Sequence, residues 1–404
     1  MIKEKNILFL CEGLNHANFQ FNMEESFRKL GYNCIYLVTN LAAYLALKKM
    51  TKNMVVLVKR KKCPYYSDVV LKSKEYIEKS LSKENVISIY KAVYYFCSKI
   101  NSKYSIDLFI CSQGVKAAEI TVREYARKNN IKTLFFELSN LPGKTFFDIE
   151  GSNASSYLYN NIEILDKSYI DDITYEQWRE KYLENKFKEH IVKQAVNLRQ
   201  FNLSLKYVFV TRFDFLYTGI KTKKLDIFDK VKDLFISKYL NIEYDNLDFE
   251  KEKYIFFPMQ VSTDSQIVLN SDIGLMDSLS YSLKEAQRLG VILVVKLHPA
   301  EKSVEITKSL LMLRKKMGFK IVNDNTFVII KNSLKVITIN STVALESMII
   351  GKEVDILGRS YYKYFNKARI KSYIMNYLID IDFFQNKSFS VEQIQRLLTR
   401  AKLL

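Results

Sequence analysis

The chain alternates short apolar runs with amphipathic stretches of helical length, and it begins that alternation twice. The first series opens with "NILFL", a polar loop "CEGLNHANFQ" containing Gly13, a helical stretch "FNMEESFRKLGY" closed by Gly31, and a second apolar run "NCIYLVTN". Apolar runs of this length fit strands covered on both faces, and a glycine closing an amphipathic stretch fits a helix C-terminus. Together they predict a βαβ unit, the start of a doubly wound parallel sheet. The runs "MVVLV" (54–58), "DLFICS" (107–112) and "KTLFFE" (132–137) predict further strands. "YYSDVVLKSKEYIEKSL" and "VISIYKAVYYFCSKI" predict helices among them.

After the charged stretch "YDNLDFEKEK" (244–253) the alternation restarts. "YIFFPMQ", "VILVVKL", "KVITIN" and "EVDIL" predict strands, and helices ending at Gly290 and Gly318 separate the first three. The charged stretch divides the chain into 1–245 and 246–404. The highly charged segment 172–205 reads as helical, which puts a helical insertion at about 157–245 in the first domain. The expected fold is α/β, with two Rossmann-like domains whose parallel sheets face each other across a cleft. The last helices of the chain are expected to pack back on the first domain.

At 404 residues, 48% hydrophobic and 26% charged, this is the composition of a folded protein of two or three domains. Sixty-two Lys and Arg against 44 Asp and Glu give a net charge of +18, which favours an anionic partner: nucleic acid, lipid headgroups or an acidic substrate. No RNP-like, zinc-finger or helix-turn-helix pattern supports nucleic acid, so none is expected. The five cysteines show no CxxC or zinc spacing. They predict a reducing, cytoplasmic compartment. With no signal-peptide pattern and no apolar segment of spanning length, the chain is expected to rest on the inner face of the cytoplasmic membrane at most.

Ligands of open parallel sheets sit at the carboxyl ends of the strands, and four predicted strand ends here are unusually polar. "KLHPAE" supplies Lys296, His298, Pro299 and Glu301. Its imidazole can donate to a phosphate, or it simply ends a strand at a proline. "ITINSTVALES" delivers Asn340, Ser341 and Thr342 to a helix start, with Glu346 one turn inside. Helix capping explains the hydroxyls, yet a helix start is also an anion site, from which Glu346 reaches ribose hydroxyls. "FFPMQVSTDSQI" adds Gln260, Asp264, Ser265 and Gln266. "FFELSNLPGKTFFDIEGSNASS" places Glu137 at a strand end, followed by Asn140, Asp148, Asn153 and Ser155. A carboxylate fixed at a cleft can serve as a general base, or as a structural hydrogen-bond acceptor. The His298 and Asn340 loops are expected on adjacent strand ends, as one wall each of a nucleotide pocket. No DxD motif lies near these loops, so no metal is expected.

With those segments in view, the sequence resembles the capsule polysaccharide biosynthesis family, whose members include bacterial Kdo transferases of capsule linker assembly. "FFPMQVSTDSQI", "KLHPAE", "NSTVALESMIIGKEVDILGRSYY" and "FFELSNLPGKTFFDIEGSNASS" carry the resemblance, and "ILFLCEGLNHANFQFNMEESFRKLGYN" carries it more loosely. The resemblance implies a GT-B glycosyltransferase fold and a CMP-activated donor, Kdo or a similar acidic sugar, as substrate rather than cofactor. It implies a donor site of Lys296, His298, Pro299, Asn340, Ser341, Thr342, Glu346, Gln260, Asp264, Ser265 and Gln266. His298 and the helix start would stabilise the departing phosphate. The catalytic carboxylate would be Glu137, with Asp148 as the alternative. Glu12, Asn15, Asn140, Asn153 and Ser155 would line the acceptor side. The implied partners are a glycan or lipid-linked glycan acceptor, the inner-membrane surface and capsule assembly or export proteins. Two further readings are a teichoic-acid-type enzyme moving glycerol phosphate from CDP-glycerol, and a nucleotide-sugar enzyme such as an epimerase.

Overall fold

The computed structural model describes residues 4–139, 141–167, 169–188, 205–221, 242–301 and 303–404, which fall into two compact units. The first takes 4–161, 205–221 and 376–404 of these. Its sheet has the order β3-β2-β1-β4-β5-β6. Strands β1 (Lys5–Cys11), β2 (Tyr32–Val38), β3 (Met54–Leu57), β4 (Leu108–Ser112) and β5 (Lys132–Leu138) are parallel, and β6 (Thr145–Asp148) runs antiparallel on β5. Helices α1 (Leu14–Lys29), α2 (Leu41–Met50), α3 (Lys83–Tyr104) and α4 (Ala117–Lys128) complete the frame. The parallel strands read as unbroken apolar runs because both faces are covered. Leu8, Leu10 and Phe109 pack with Tyr90 and Val93 of α3, while Ile7 and Phe9 pack with Phe19 and Phe27 of α1. The C-terminal helix Val391–Arg400 adds Ile394, Leu397 and Leu398 to that second cluster. Their i, i+3, i+4 spacing is one helix face, each side chain contributing about 1.5–3 kcal/mol by burial.

The second unit takes 162–188 and 242–375 of the described residues. It begins with α5 (Asp172–Lys188) and then runs β7 (Tyr254–Pro258), α6 (Ser265–Asn270), α7 (Leu275–Leu289) and β8 (Ile292–Lys296). Next come α8 (Val304–Met317), β9 (Lys320–Ile321), α9 (Thr326–Asn332), β10 (Lys335–Thr338), α10 (Val343–Ile350) and β11 (Glu353–Ile356). Its sheet is wholly parallel, in the order β11-β10-β7-β8-β9. Each sheet therefore grows outward from its first strand, then crosses to the other side of that strand. The reversals fall between β1 and β4 and between β7 and β10.

Two Rossmann-like parallel sheets match the expected fold class, but several details differ. β8 and β10, which carry the His298 and Asn340 loops, are not adjacent; β7 lies between them. The loop expected over "CEGLNHANFQ" is short, because α1 starts at Leu14 after an extended Gly13, so Asn15 sits in the first helical turn. "YYSDVVLKSKEYIEKSL" is not one helix. Ser67 accepts the Val69 N–H and starts a tight turn over Asp68–Lys72, and the extended backbone of Ser73 then breaks it before Lys74–Ile77. The charged helix packs in the second unit, where the Arg179 Nε donates to the Ile349 carbonyl at 2.6 Å. The part of the expected helix over 189–204 and the part of the insertion over 222–241 lie outside the described residues.

Candidate active site

Where the strand order reverses, neighbouring strand ends part and leave a crevice. In the second unit β7 and β10 deliver Gln260 and Asn340 to it. Gln260 Oε1 accepts the Asn340 backbone N–H and its Nε2 donates to Asn340 Oδ1, both at 3.1 Å. Asn340 Nδ2 donates to the carbonyls of Gln266 (2.7 Å) and Asn270 (3.2 Å). Both amides are buried, so they act as a bracket that sets the spacing of the two strand ends. Asp264 caps α6 by accepting the Gln266 N–H at 2.9 Å, and Gln266 Oε1 accepts from Asn270 at 2.9 Å. Ser265 opens α6; its side chain lies outside the described atoms.

Gly358, not singled out from the sequence, closes over this bracket. A Cβ there would lie 3.0 Å from Ile339 Cγ2, 3.1 Å from Asn340 Nδ2 and 3.2 Å from the Asn270 carbonyl. Gly358→Ala is therefore expected to push the strand ends apart and cost about 1–3 kcal/mol, read as a lower thermal unfolding midpoint. An unchanged midpoint would show that the bracket yields freely.

Beyond the bracket stand Ser341 and Thr342, both half-buried at the start of α10. Ser341 Oγ accepts the Val343 N–H at 3.2 Å, and Thr342 holds the N-cap position without capping through its side chain. On the other side of β7, the His298 loop is tied to the Gln260 loop through Glu301. That carboxylate accepts the Ser262 N–H at 2.6 Å, the Ser262 hydroxyl at 3.2 Å and the Ser303 N–H at 2.7 Å. The Ala300 N–H donates to His298 Nδ1 at 3.1 Å. The neutral ring therefore carries its proton on Nε2. Burial lowers the His298 pKa against the opposing charges of Asp264 and Glu301, so near neutral pH the ring is an uncharged Nε2–H donor. Pro299 is exposed beside it.

Two expected donor-site residues point elsewhere. Lys296 Nζ donates to the Asp324 carbonyl (2.5 Å) and to Thr326 Oγ1 (3.1 Å), on the β9 side of β8. Glu346 is buried against α5, with the Tyr182 hydroxyl at 3.4 Å and Lys186 Nζ at 3.9 Å from Oε1. Burial raises its pKa, with Lys186 and Tyr182 opposing.

In the first unit the crevice lies between β1 and β4, beside Glu12. Lys116 Nζ is 3.3 Å from Glu12 Oε2. Glu119, in the first turn of α4, accepts the N–H groups of Val115 (2.9 Å) and Lys116 (3.1 Å) on Oε2. No hydrogen-bond partner with a fixed proton reaches its Oε1 among the described residues, and the neighbouring group is the Glu12 carboxyl. Two carboxyls in contact need a proton between them. Burial raises the Glu12 pKa; for Glu119, burial is outweighed by Lys116, Glu12 and backbone donors. His16 adjoins them, held neutral by burial and by Lys116, which bring its pKa down to about 4. The signal for Glu119 was available as a helix-start acid three residues after Lys116, directly behind a strand.

Glu137 is the last residue but one of β5, the neighbour of β4, and is partly exposed. Its Oε1 accepts from Gln113 Nε2 at 3.0 Å and its Oε2 from Asn153 Nδ2 at 2.9 Å. Asn153 sits at φ +51°, a left-handed conformation that asparagine tolerates. Asp148 lies in the body of the sheet opposite Phe135 and is fully buried. It accepts the N–H groups of Glu150 (2.8 Å), Gly151 (3.2 Å), Tyr157 (2.8 Å) and Leu158 (3.0 Å), and the Tyr377 hydroxyl (2.8 Å). The strand ends of this unit thus bring Glu12, Glu137 and Asn153 toward one edge. Asn15 is half-buried in α1, Ser155 is exposed, and Asn140 lies outside the described residues.

Residues 114–365 match the family model described as capsule polysaccharide biosynthesis protein. No curated protein is matched. Among solved structures, the chain is similar to the β-Kdo 2,7 transferase of Thermosulfurimonas dismutans KpsC, at 15% identity and a TM-score of 0.41, covering 79% of this chain and 90% of that one. The β-Kdo 2,4 transferase of the same KpsC matches at 13% identity and a TM-score of 0.43, covering 73% and 87%. Acinetobacter baumannii MurG matches at 12% identity and a TM-score of 0.30, covering 99% and 92%.

Proposed function

The chain belongs to the capsule polysaccharide biosynthesis protein family, and on that premise we propose that it is a glycosyltransferase using a CMP-activated sugar. The donor sugar is Kdo or a similar acidic sugar, and the acceptor is a hydroxyl of a glycan or lipid-linked glycan. The observation that carries the reading is the hydrogen-bonded rim of the second unit, which runs from the α10 start through Gln260 to Glu301 and His298. The α10 start contributes the positive end of a helix dipole, and His298 a neutral Nε2–H. Both complement a phosphate, and both gain strength as negative charge develops on the departing CMP. In a direct displacement the acceptor oxygen bonds the anomeric carbon and CMP leaves with the electron pair. Glu137 takes the acceptor's proton.

The test is CMP release from a CMP-activated acidic sugar and, separately, from CDP-glycerol, each with a glycolipid acceptor. CMP release from CDP-glycerol alone would replace this reading with glycerol-phosphate transfer. His298→Ala is expected to reduce transfer about 10²–10³-fold and to weaken CMP binding, with the thermal midpoint unchanged. Wild-type turnover in that variant would reject the site.

A further inference from the structure

The helix Leu205–Thr218 of the first unit is turned inside out at its C-terminal end. Asp214 and Thr218 face inward there. Asp214 is buried, with Oδ1 accepting the Leu41 N–H at 2.6 Å and Oδ2 accepting from Asn40 Nδ2 at 2.9 Å, at the start of α2. Thr218 is buried too, and its hydroxyl donates to the Asp214 carbonyl at 2.6 Å. The large apolar residues between them face solvent: Phe215 is 52% exposed, Leu216 73% and Tyr217 61%. Two residues on, Ile220 enters the core cluster with Leu37 and Val58. The chain buries an apolar side chain there while holding three outside, on a helix end anchored by hydrogen bonds. Three adjacent exposed apolar side chains on an anchored helix end are the kind of surface that marks an interaction site.

Charge identifies the partner. The Thr218 carbonyl accepts the Arg60 N–H at 2.6 Å, and Gly219, at φ +66°, lets the chains approach so closely that a Cβ would lie 3.1 Å from Arg60 Cβ. Arg60 belongs to four consecutive exposed cations, Lys59, Arg60, Lys61 and Lys62. Exposed Tyr66, beneath Lys91, follows them. We propose that this end of the first unit is a docking surface for an anionic phospholipid bilayer, with Phe215, Leu216 and Tyr217 entering the headgroup–acyl boundary and Lys59 to Lys62 pairing with lipid phosphates. Apolar and aromatic residues beside a basic run are the combination that binds such an interface. A second copy of the chain fits poorly, since a two-fold contact through this patch would set the same four cations against themselves. The inference is independent of the transfer chemistry.

Co-sedimentation of the full chain with phosphatidylcholine vesicles, with and without phosphatidylglycerol, tests it. The wild-type protein is expected to bind the anionic vesicles and to be released by salt. Combined Lys59→Ser, Lys61→Ser and Lys62→Ser is expected to weaken that binding on the order of 100-fold. Phe215→Ser with Leu216→Asp is expected to abolish it, with oligomeric state and thermal midpoint unchanged. Three results would overturn the proposal: wild-type protein left in the supernatant with anionic vesicles, lysine variants binding as tightly as wild type, or a dimer that Leu216→Asp converts to monomer while vesicle binding persists.

Discussion

Glu137→Gln is expected to lower kcat about 10³-fold and to leave the affinity for CMP within about two-fold of wild type. The size follows from the usual contribution of a positioned general base, 10²–10⁴-fold. The selectivity follows from where the residue stands: Glu137 belongs to the first unit, and the rim proposed to hold CMP belongs to the second. The fold should tolerate the change. Two groups that donate to Glu137, Gln113 Nε2 and Asn153 Nδ2, are side-chain amides. The amide that meets the new NH₂ can reverse to present its oxygen, and the other goes on donating to the remaining carbonyl oxygen, so both hydrogen bonds can be kept. Single-turnover transfer assays and calorimetric CMP titration on the same preparation check both halves. Retained turnover would remove Glu137 from the chemistry, and a large loss of CMP affinity would show that the variant disturbs more than proton transfer.

Most of the parallel strands were legible because burial on both faces writes them as apolar runs, and Gly290 and Gly318 mark helix ends with left-handed backbones. What stayed hidden was pairing. "TFFD" lies in a polar stretch, and β6 exists because it can pair antiparallel to β5 across a tight turn, a long-range fact with little local signature. β9 is two residues long. Strand order has no local signature either: the polar ends of β8 and β10 look like neighbours in the sequence, and β7 separates them in the sheet. The helix over 172–188 buries only Tyr175 and Tyr182, seven residues apart, which is too narrow a stripe to say which unit receives it. At the site, residue type was visible and allegiance was not. Asn340 suits a ligand and proves to brace the scaffold; Glu346 suits a ribose and turns to Tyr182 and Lys186.

The same acid-to-amide change at Asp148 should have the opposite outcome. Asp148→Asn is expected to destabilise the first unit by about 3 kcal/mol, lowering the thermal midpoint by roughly 6–12 °C. Four of the five groups that donate to its carboxylate are backbone N–H groups, from Glu150, Gly151, Tyr157 and Leu158. A backbone donor cannot reverse. If the asparagine oxygen keeps the three contacts of Oδ1, its NH₂ must face the Leu158 N–H and the Tyr377 hydroxyl. The hydroxyl can rotate to accept, but the N–H cannot, and with no exposure at this position no bulk water can intervene. The carboxylate also holds the loop that carries Asn153, one of the two amides on Glu137, so transfer should fall as the loop loosens. Tyr377→Phe removes one donor without adding one, and should cost only about 1 kcal/mol. Thermal unfolding alongside transfer assays separates the two carboxylates. If Asp148→Asn kept the wild-type midpoint yet lost turnover, the chemistry would belong to Asp148, and the role given to Glu137 would fall with it.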